Sequence, residues 1–251
     1  MSTSTPPLGI TWLGQSGYLY DFPGGLTVCI DPYLSHAKSG GQTRPRLTPI
    51  VIPATAIAAD LVLTTHDHID HFDEISLRPL AERPAAVFAG PTSCRAHWLA
   101  MGLPGERFLR LDQGNSLTVA GLRLTATYAE HSSGPNRDAI GVLLETDGIR
   151  IYQTGDSEHT ERLADEARGL QPDLLTVPIN GRGGNMTAAQ AAALTKLVAP
   201  RVVIPMHYGM FADNTADPED FVVACREADV TAQIMIAVAG VRFALPVGRA
   251  G

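Results

Sequence analysis

Two hydrophobic rhythms divide the chain. The first third carries short runs rich in aromatic and β-branched residues, "GITWLG", "GYLYDF" and "LTVCID", separated by Gly and Pro. Runs of that length and composition read as strands between turns. "DLVLTT" is almost continuously apolar, which suits a strand buried on both faces. Helices are expected around 73–83 and 92–101, bracketing a strand in "AAVFAG". The centre returns to strands with "NSLTVAG", "LRLTATY" and "AIGVLLETDGIRIYQTGD", where Asp147-Gly148 between apolar runs is a hairpin signal.

From there helix and strand alternate. "SEHTERLADEARGL" reads as a helix, "DLLTVPIN" as a strand, and "TAAQAAALTKLV" as a helix opened by the capping box Thr187-x-x-Gln190. "RVVIPMH" is another buried strand, and Asp217-Pro218 starts a helix with an N-cap and Pro at the first helical position. No low-complexity linker and no short-period repeat interrupts this order, so a single domain over 1–251 is expected. Strands followed by helices, twice over, predict an α/β chain whose halves feed one cleft.

Several strands stop abruptly at polar residues: Asp31, His66, Asp156, Asn180 and His207. Strand ends gathered on one sheet edge are where α/β proteins place their sites. The loop after "LVLTT" is the densest of these. His66-x-His68-x-Asp70-His71 sets four potential ligands on one short segment, and neutral imidazole with carboxylate suits zinc, manganese or iron. His66 and His68, two apart on extended backbone, point the same way and can grip one ion. Asp70 and His71 follow a turn and face a neighbouring position. Four ligands this close strain around one ion, so two ions are expected, and the chain supplies further donors: His131 in "YAEHSSG", Asp156 in "TGDS" and His207 in "IPMHYG". One ion would take His66, His68 and His131, the other Asp70, His71 and His207, with Asp156 bridging. Asp70 and Asp156 count as catalytic as well as metal-binding.

Each assignment has a plain structural competitor. A lone histidine such as His131 or His207 is commonly a packing residue, and Asp156 fits a turn. Asp31 either accepts the free N–H of a ligating imidazole or caps the Asp31-Pro32 turn. Asp67 should point away from the ions, and His36, His97 and His159 read as surface or packing residues. The glycine-rich "NGRGGNM", leading into a capped helix, is either an anion-receiving loop using Arg182 or a surface turn. Gln15 and Tyr208 flank cleft-edge segments and are further candidates for substrate contact, as is Tyr33.

The balance of charge narrows the partners. A formal net charge of -7, with no basic cluster larger than Arg44-Pro-Arg46, disfavours nucleic acid. The longest apolar stretches, such as "IMIAVAGV", fall short of a membrane span, and the N-terminus lacks the look of a signal peptide. Cys29, Cys94 and Cys225 are far apart and odd in number, which suggests buried thiols rather than a disulfide framework or thiolate zinc site. A cytoplasmic home is the resulting expectation.

The whole pattern, H-x-H-x-D-H, a lone His, an Asp in a T-G-D turn and a final His, resembles the metallo-β-lactamase superfamily of hydrolases. "TWLGQSGY", "IDPYLS", "TTHDHIDH" and "IPMHYGMF" are similar to the branch containing L-ascorbate-6-phosphate lactonase. The resemblance implies a four-layer αββα sandwich of two pseudo-symmetric halves, dependence on manganese or zinc, and a homo-oligomer, since relatives in that branch often associate. With no G-x-S-x-G elbow in view, the expected reaction is direct hydrolysis of a lactone or small ester by hydroxide bound between two metals. A phosphodiester or a thioester are the competing bonds. A flavin-linked di-iron redox protein is disfavoured, because its motif usually has Glu where His68 stands.

Overall fold

The computed structural model describes residues 7–38, 41–131, 136–146 and 148–246. In chain order the strands and helices are β1 (Leu8–Gly14), β2 (Gly17–Asp21), β3 (Thr27–Ile30), β4 (Ala37–Lys38), β5 (Gln42–Thr43), β6 (Leu61–Leu63), α1 (Glu74–Ala81), β7 (Val87–Gly90), α2 (Thr92–Ala100), β8 (Phe108–Arg110), β9 (Ser116–Val119), β10 (Leu122–Tyr128), β11 (Ile140–Thr146), β12 (Ile149–Gln153), α3 (Glu161–Ala167), β13 (Leu174–Pro178), α4 (Ala188–Val198), β14 (Val202–Met206), α5 (Pro218–Glu227), β15 (Gln233–Ile234) and β16 (Arg242–Leu245). Asp147, half of the expected hairpin signal, lies outside the described residues; Gly148 beside it has φ +78 in the turn between β11 and β12.

Two seven-stranded sheets carry the fold, ordered β16-β1-β2-β3-β6-β7-β8 and β15-β14-β13-β12-β11-β10-β9. Each sheet has three antiparallel junctions followed by three parallel ones. The match requires the chain's end to return to its beginning: β16 pairs with β1, Leu8 opposite Leu245, and takes the place in the first sheet that β9 holds in the second.

Alternation along the strands builds the layers. Val28 and Ile30 face the core between the sheets while Cys29 faces the helices, and Leu61 and Leu63 do the same around Val62. On that outer face Leu77 and Leu80 of α1 and Trp98 of α2 close a second cluster, in which the Trp98 ring sits 4.3 Å from Phe88. Helices α3, α4 and α5 bury Leu163, Leu194 and Phe221 against the second sheet, completing the αββα order. All three cysteines are free and buried. No helix among the described residues is long and apolar enough to cross a membrane.

The helix expected over "SEHTERLADEARGL" starts late, at Glu161, with Thr160 as its N-cap accepting from Leu163 N at 3.1 Å. Ser157 and Glu158 cannot coil because their backbone serves other loops: Ser157 O accepts from Met186 N at 3.0 Å and Glu158 N donates to Glu130 O at 2.7 Å. The capping box forms as expected, Gln190 N donating to Thr187 Oγ1 at 3.3 Å and Thr187 N to Gln190 Oε1 at 2.9 Å. Thr187→Ala should cost about 1 kcal/mol, the usual worth of an N-cap; a urea titration reads it, and an unchanged midpoint would show that α4 is held by packing alone.

Candidate metal centre

Every ligand candidate sits just beyond a strand's C-terminal end. Asp31 follows β3, His66 follows β6, Asp156 follows β12 and His207 follows β14, with His131 soon after β10. The strands are straight and buried, so their ends are fixed; the residues beyond them turn inward through unusual backbone. His207 has φ +66 and Asp31 φ +45, in the left-handed region that ordinary residues avoid. Gly155, φ +65, makes the turn that delivers Asp156, and a Cβ there would lie 2.4 Å from Ile140 O. The His66 loop closes on itself, His71 N and Phe72 N both donating to His68 O at 2.9 and 2.7 Å, before Asp73 caps α1.

Three imidazole nitrogens converge on one point. His68 Nδ1 is 2.9 Å from His66 Nε2 and 3.0 Å from His131 Nε2. Beside them, His71 Nε2 lies 3.4 Å from Asp156 Oδ1, and His207 Nε2 lies 3.0 Å from Asp156 Oδ2 and 3.8 Å from Asp70 Oδ2. Three trios, His66–His68–His131, His66–His71–Asp156 and Asp70–His71–His207, each keep their donor atoms within 4.8 Å of one another. All of these side chains except those of His68 and Asp70 are buried. The set fits divalent cations. His71 Nε2 is buried without a hydrogen-bond partner, and three nitrogens crowded at one point cannot all satisfy one another through shared protons. Nitrogen and carboxylate donors of this kind suit zinc, manganese or iron.

The surroundings fix the tautomers. His71 Nδ1 is 2.8 Å from Asp31 Oδ2, and Asp31 also accepts from Thr65 N and Thr65 Oγ1, each at 2.7 Å. His131 Nδ1 donates to Gly184 O at 3.1 Å. Each contact takes the Nδ1 proton and leaves Nε2 bare toward the centre. Asp31 and Asp156 end equivalent strands of the two sheets, so His71 is held between pseudo-symmetric carboxylates, one at each ring nitrogen.

Electrostatics separates the two halves of the cluster. Burial, then the neighbouring His71, holds the His66 pKa well below its ordinary value; burial and His131 lower that of His68. Neutral imidazoles are what a cation needs. Burial opposes charge on His71 too, but Asp156 and Asp31 outweigh it and hold its pKa well above the ordinary value. Burial would raise both Asp70 and Asp156; His71 and His207 overturn that and hold both carboxyls below the usual range, Asp156 well below.

Three substrate-contact expectations are corrected by the packing. Tyr208 is buried, its ring 4.8 Å from Trp12 and its hydroxyl donating to Ala237 O at 3.0 Å, so it is committed to the core. Gln15 is 0% exposed and donates through Nε2 to Asp70 Oδ2 at 2.7 Å; it braces the centre instead of facing a substrate. Tyr33 is likewise buried, with its hydroxyl donating to Ala37 O. Arg182 is exposed, donates to Asp213 O at 3.2 Å, and lines a polar cavity of about 300 Å³ with Glu158, His159 and Gln190. That cavity adjoins the centre through Gly184 and Asn185. Asp67 faces away, accepting from Asn136 Nδ2 at 2.5 Å with His97 Nε2 3.4 Å off.

Sequence reasoning passed over Thr65, Ser16 and Asn185. Ser16 Oγ donates to Asp156 Oδ1 at 3.3 Å and Asn185 Nδ2 to Asp156 Oδ2 at 2.9 Å. Asn185 stood in the glycine-rich loop already singled out, two residues before the helix cap; nothing in the sequence marks the other two.

Comparison with known proteins agrees with this geometry. Residues 9–207 match the family model described as the beta-lactamase superfamily domain. A UPF0173 metal-dependent hydrolase of Herpetosiphon aurantiacus is 30% identical over 219 residues, covering 84% of this chain and 86% of that one. One from Myxococcus xanthus is 29% identical over 248 residues, covering 94% and 83%. Among solved structures, Igni18, a metallo hydrolase from Ignicoccus hospitalis, superposes with a TM-score of 0.74 at 25% identity, covering 94% of this chain and 98% of its own. The chain belongs to the beta-lactamase superfamily and, within it, to the metal-dependent hydrolases.

Proposed function

We propose that this hydrolase opens a lactone or a similar small carboxylic ester, using two divalent ions, zinc or manganese. The observation that carries the reading is the convergence of His66 Nε2, His68 Nδ1 and His131 Nε2 directly beside the His71–Asp156–His207 group. His66, His68 and His131 would hold one ion and Asp70, His71 and His207 the other, with Asp156 placed to offer a carboxylate to both. When bound, two such ions would supply Lewis acidity and lower the pKa of a water, so that no side-chain nucleophile is needed. The nearby serines support that division of labour. Ser16 Oγ donates to Asp156, whose pKa is held well below the usual range and which is therefore a poor base, and Ser157 Oγ donates to Glu158 O while accepting from Glu130 N.

The chain's own groups do the rest. Asp31 and the Gly184 carbonyl keep His71 and His131 in the tautomer that presents Nε2. Asp70, the more open of the two ligand carboxylates, accepts a proton at a carboxylate oxygen during attack and returns it to the leaving alkoxide. Arg182 on the cavity rim receives an anionic group where the substrate has one. Net charge -7 and the absence of a basic cluster larger than Arg44-Pro-Arg46 favour a small-molecule substrate over nucleic acid. Three reduced, buried thiols suit the cytoplasm.

A hydrolysis panel tests this. Protein loaded separately with zinc and manganese is offered sugar and acyl lactones, with and without phosphate, beside a thioester and a simple phosphodiester. Preferred lactone turnover is expected. Preferred turnover of the phosphodiester or thioester would replace the lactone while leaving the metal centre in place.

A further inference from the structure

Two carboxamides clasp the two ligand carboxylates from opposite halves of the molecule. Gln15, in the turn between β1 and β2, donates through Nε2 to Asp70 Oδ2 at 2.7 Å. Asn185, in the loop before α4, donates through Nδ2 to Asp156 Oδ2 at 2.9 Å. Both side chains are buried, 0% and 7% exposed. The nitrogen must be the end that meets each carboxylate, since two oxygens at that distance repel. Each residue also reaches further round the centre. Gln15 O accepts from His207 N at 3.2 Å, and its Nε2 lies 3.3 Å from the His207 ring nitrogens; Gly184, next to Asn185, takes the His131 proton.

A packing role alone does not explain the pair. The remaining oxygens, Gln15 Oε1 and Asn185 Oδ1, are buried with no hydrogen-bond partner. Unsatisfied buried acceptors destabilise a fold, and Leu or Met would fill the same space without them. The N–H groups offset that cost only through what they do to the carboxylates. A carboxylate has about four lone-pair sites, and a donor occupying one decides which remain for a cation. A neutral donor does this without cancelling the carboxylate's charge, as a Lys or Arg would.

We propose that Gln15 and Asn185 are matched positioning residues that orient Asp70 and Asp156 for the second metal ion. The inference rests on the two-ion reading above. It separates the two residues: Asp70 serves only the second ion, so losing Gln15 should spare the ion held by His66, His68 and His131, whereas Asp156 offers a carboxylate to both, so losing Asn185 should weaken both.

The test is a zinc titration of the metal-free full chain against a colorimetric chelator, on wild type, Gln15→Leu and Asn185→Leu. Thermal unfolding of each metal-free protein is followed in parallel. Wild type should take two ions. Gln15→Leu should keep the tight first event and bind the second ion about 10–100-fold more weakly, the usual effect of losing an outer partner of a metal ligand, and Asn185→Leu should weaken both events. The metal-free melting temperature should change little, because the donor lost by the carboxylate and the unsatisfied oxygen removed act in opposite directions. Gln15→Met, unbranched and similar in length, repeats the measurement if the leucine branch disturbs the turn. Wild-type affinity for both ions in the variants overturns the inference alone. So does an equal loss at both ions in Gln15→Leu together with a fall in its metal-free melting temperature, which is a structural role. A wild type that binds only one ion ends the two-ion reading and this inference together, and none of these outcomes depends on which ester is cleaved.

Discussion

Asp156→Asn should remove hydrolytic turnover and one or both metal ions while leaving a folded protein. The carboxylate meets four side chains of the centre. Its Oδ1 faces His71 Nε2 at 3.4 Å and Ser16 Oγ at 3.3 Å, and its Oδ2 faces His207 Nε2 at 3.0 Å and Asn185 Nδ2 at 2.9 Å. An asparagine of the same shape can keep its oxygen toward Asn185, but its NH₂ then points at His71 and at the place a cation would occupy. A donor replaces a lone pair and a unit of negative charge disappears. Losing even an outer partner of a ligand costs about 10–100-fold in affinity or activity; losing the spanning ligand should exceed the upper end of that range. Metal content by elemental analysis, with turnover on the best lactone of the panel, reads both effects. Full metal occupancy with undiminished turnover would remove Asp156 from the centre and sink the mechanism.

Asp31→Ala should be the costliest change to stability among the groups around the site. Asp31 is fully buried and accepts from Thr65 N, Thr65 Oγ1 and His71 Nδ1. Alanine strands all three donors in the interior. Breaking a buried charged pair from one side costs roughly 3–5 kcal/mol. At about 2–4 °C per kcal/mol for a chain of this size, the melting temperature should fall by roughly 6–20 °C. Asp31→Asn separates stability from chemistry. Its carboxamide can still accept from Thr65 but presents an N–H to His71 Nδ1, so the ring must turn its proton to Nε2, the atom that faces the centre. That variant should melt closer to wild type yet bind metal about 10–100-fold more weakly. If Asp31→Ala melts with wild type, the Asp31-Pro32 turn was its only use and the tautomer argument fails.

The positions where the sequence was misread share a cause. β8, β15 and β16 were not anticipated: they are short, lie at or next to the sheet margins, and owe their existence to a partner strand, β16 to residues at the other end of the chain. "SEHT" looked helical because it shares the composition of the helix that follows, yet Ser157 and Glu158 are held by Met186 and Glu130 from separate loops. Tyr208 lies next to a ligand in sequence, but the left-handed backbone at His207 sends its ring into the core against Trp12. Gln15 looked like a cleft residue for the same reason of adjacency, and the fold instead buries it under Asp70.

The sequence by itself determined most of the strands and helices, the strand ends at which polar residues collect, and the candidate donors of H-x-H-x-D-H, His131, Asp156 and His207. Those are local properties: periodicity, turn chemistry, and the spacing of ligands along a few residues of loop. Only the tertiary structure decided which nitrogen of each imidazole faces inward and which neutral side chains hold the candidate ligands. His71 meets Asp31 across 40 positions, Gln15 meets Asp70 across 55, and Ser16 meets Asp156 across 140. No pattern within one segment encodes such contacts: the first two join strand ends of one sheet and the third joins the two sheets.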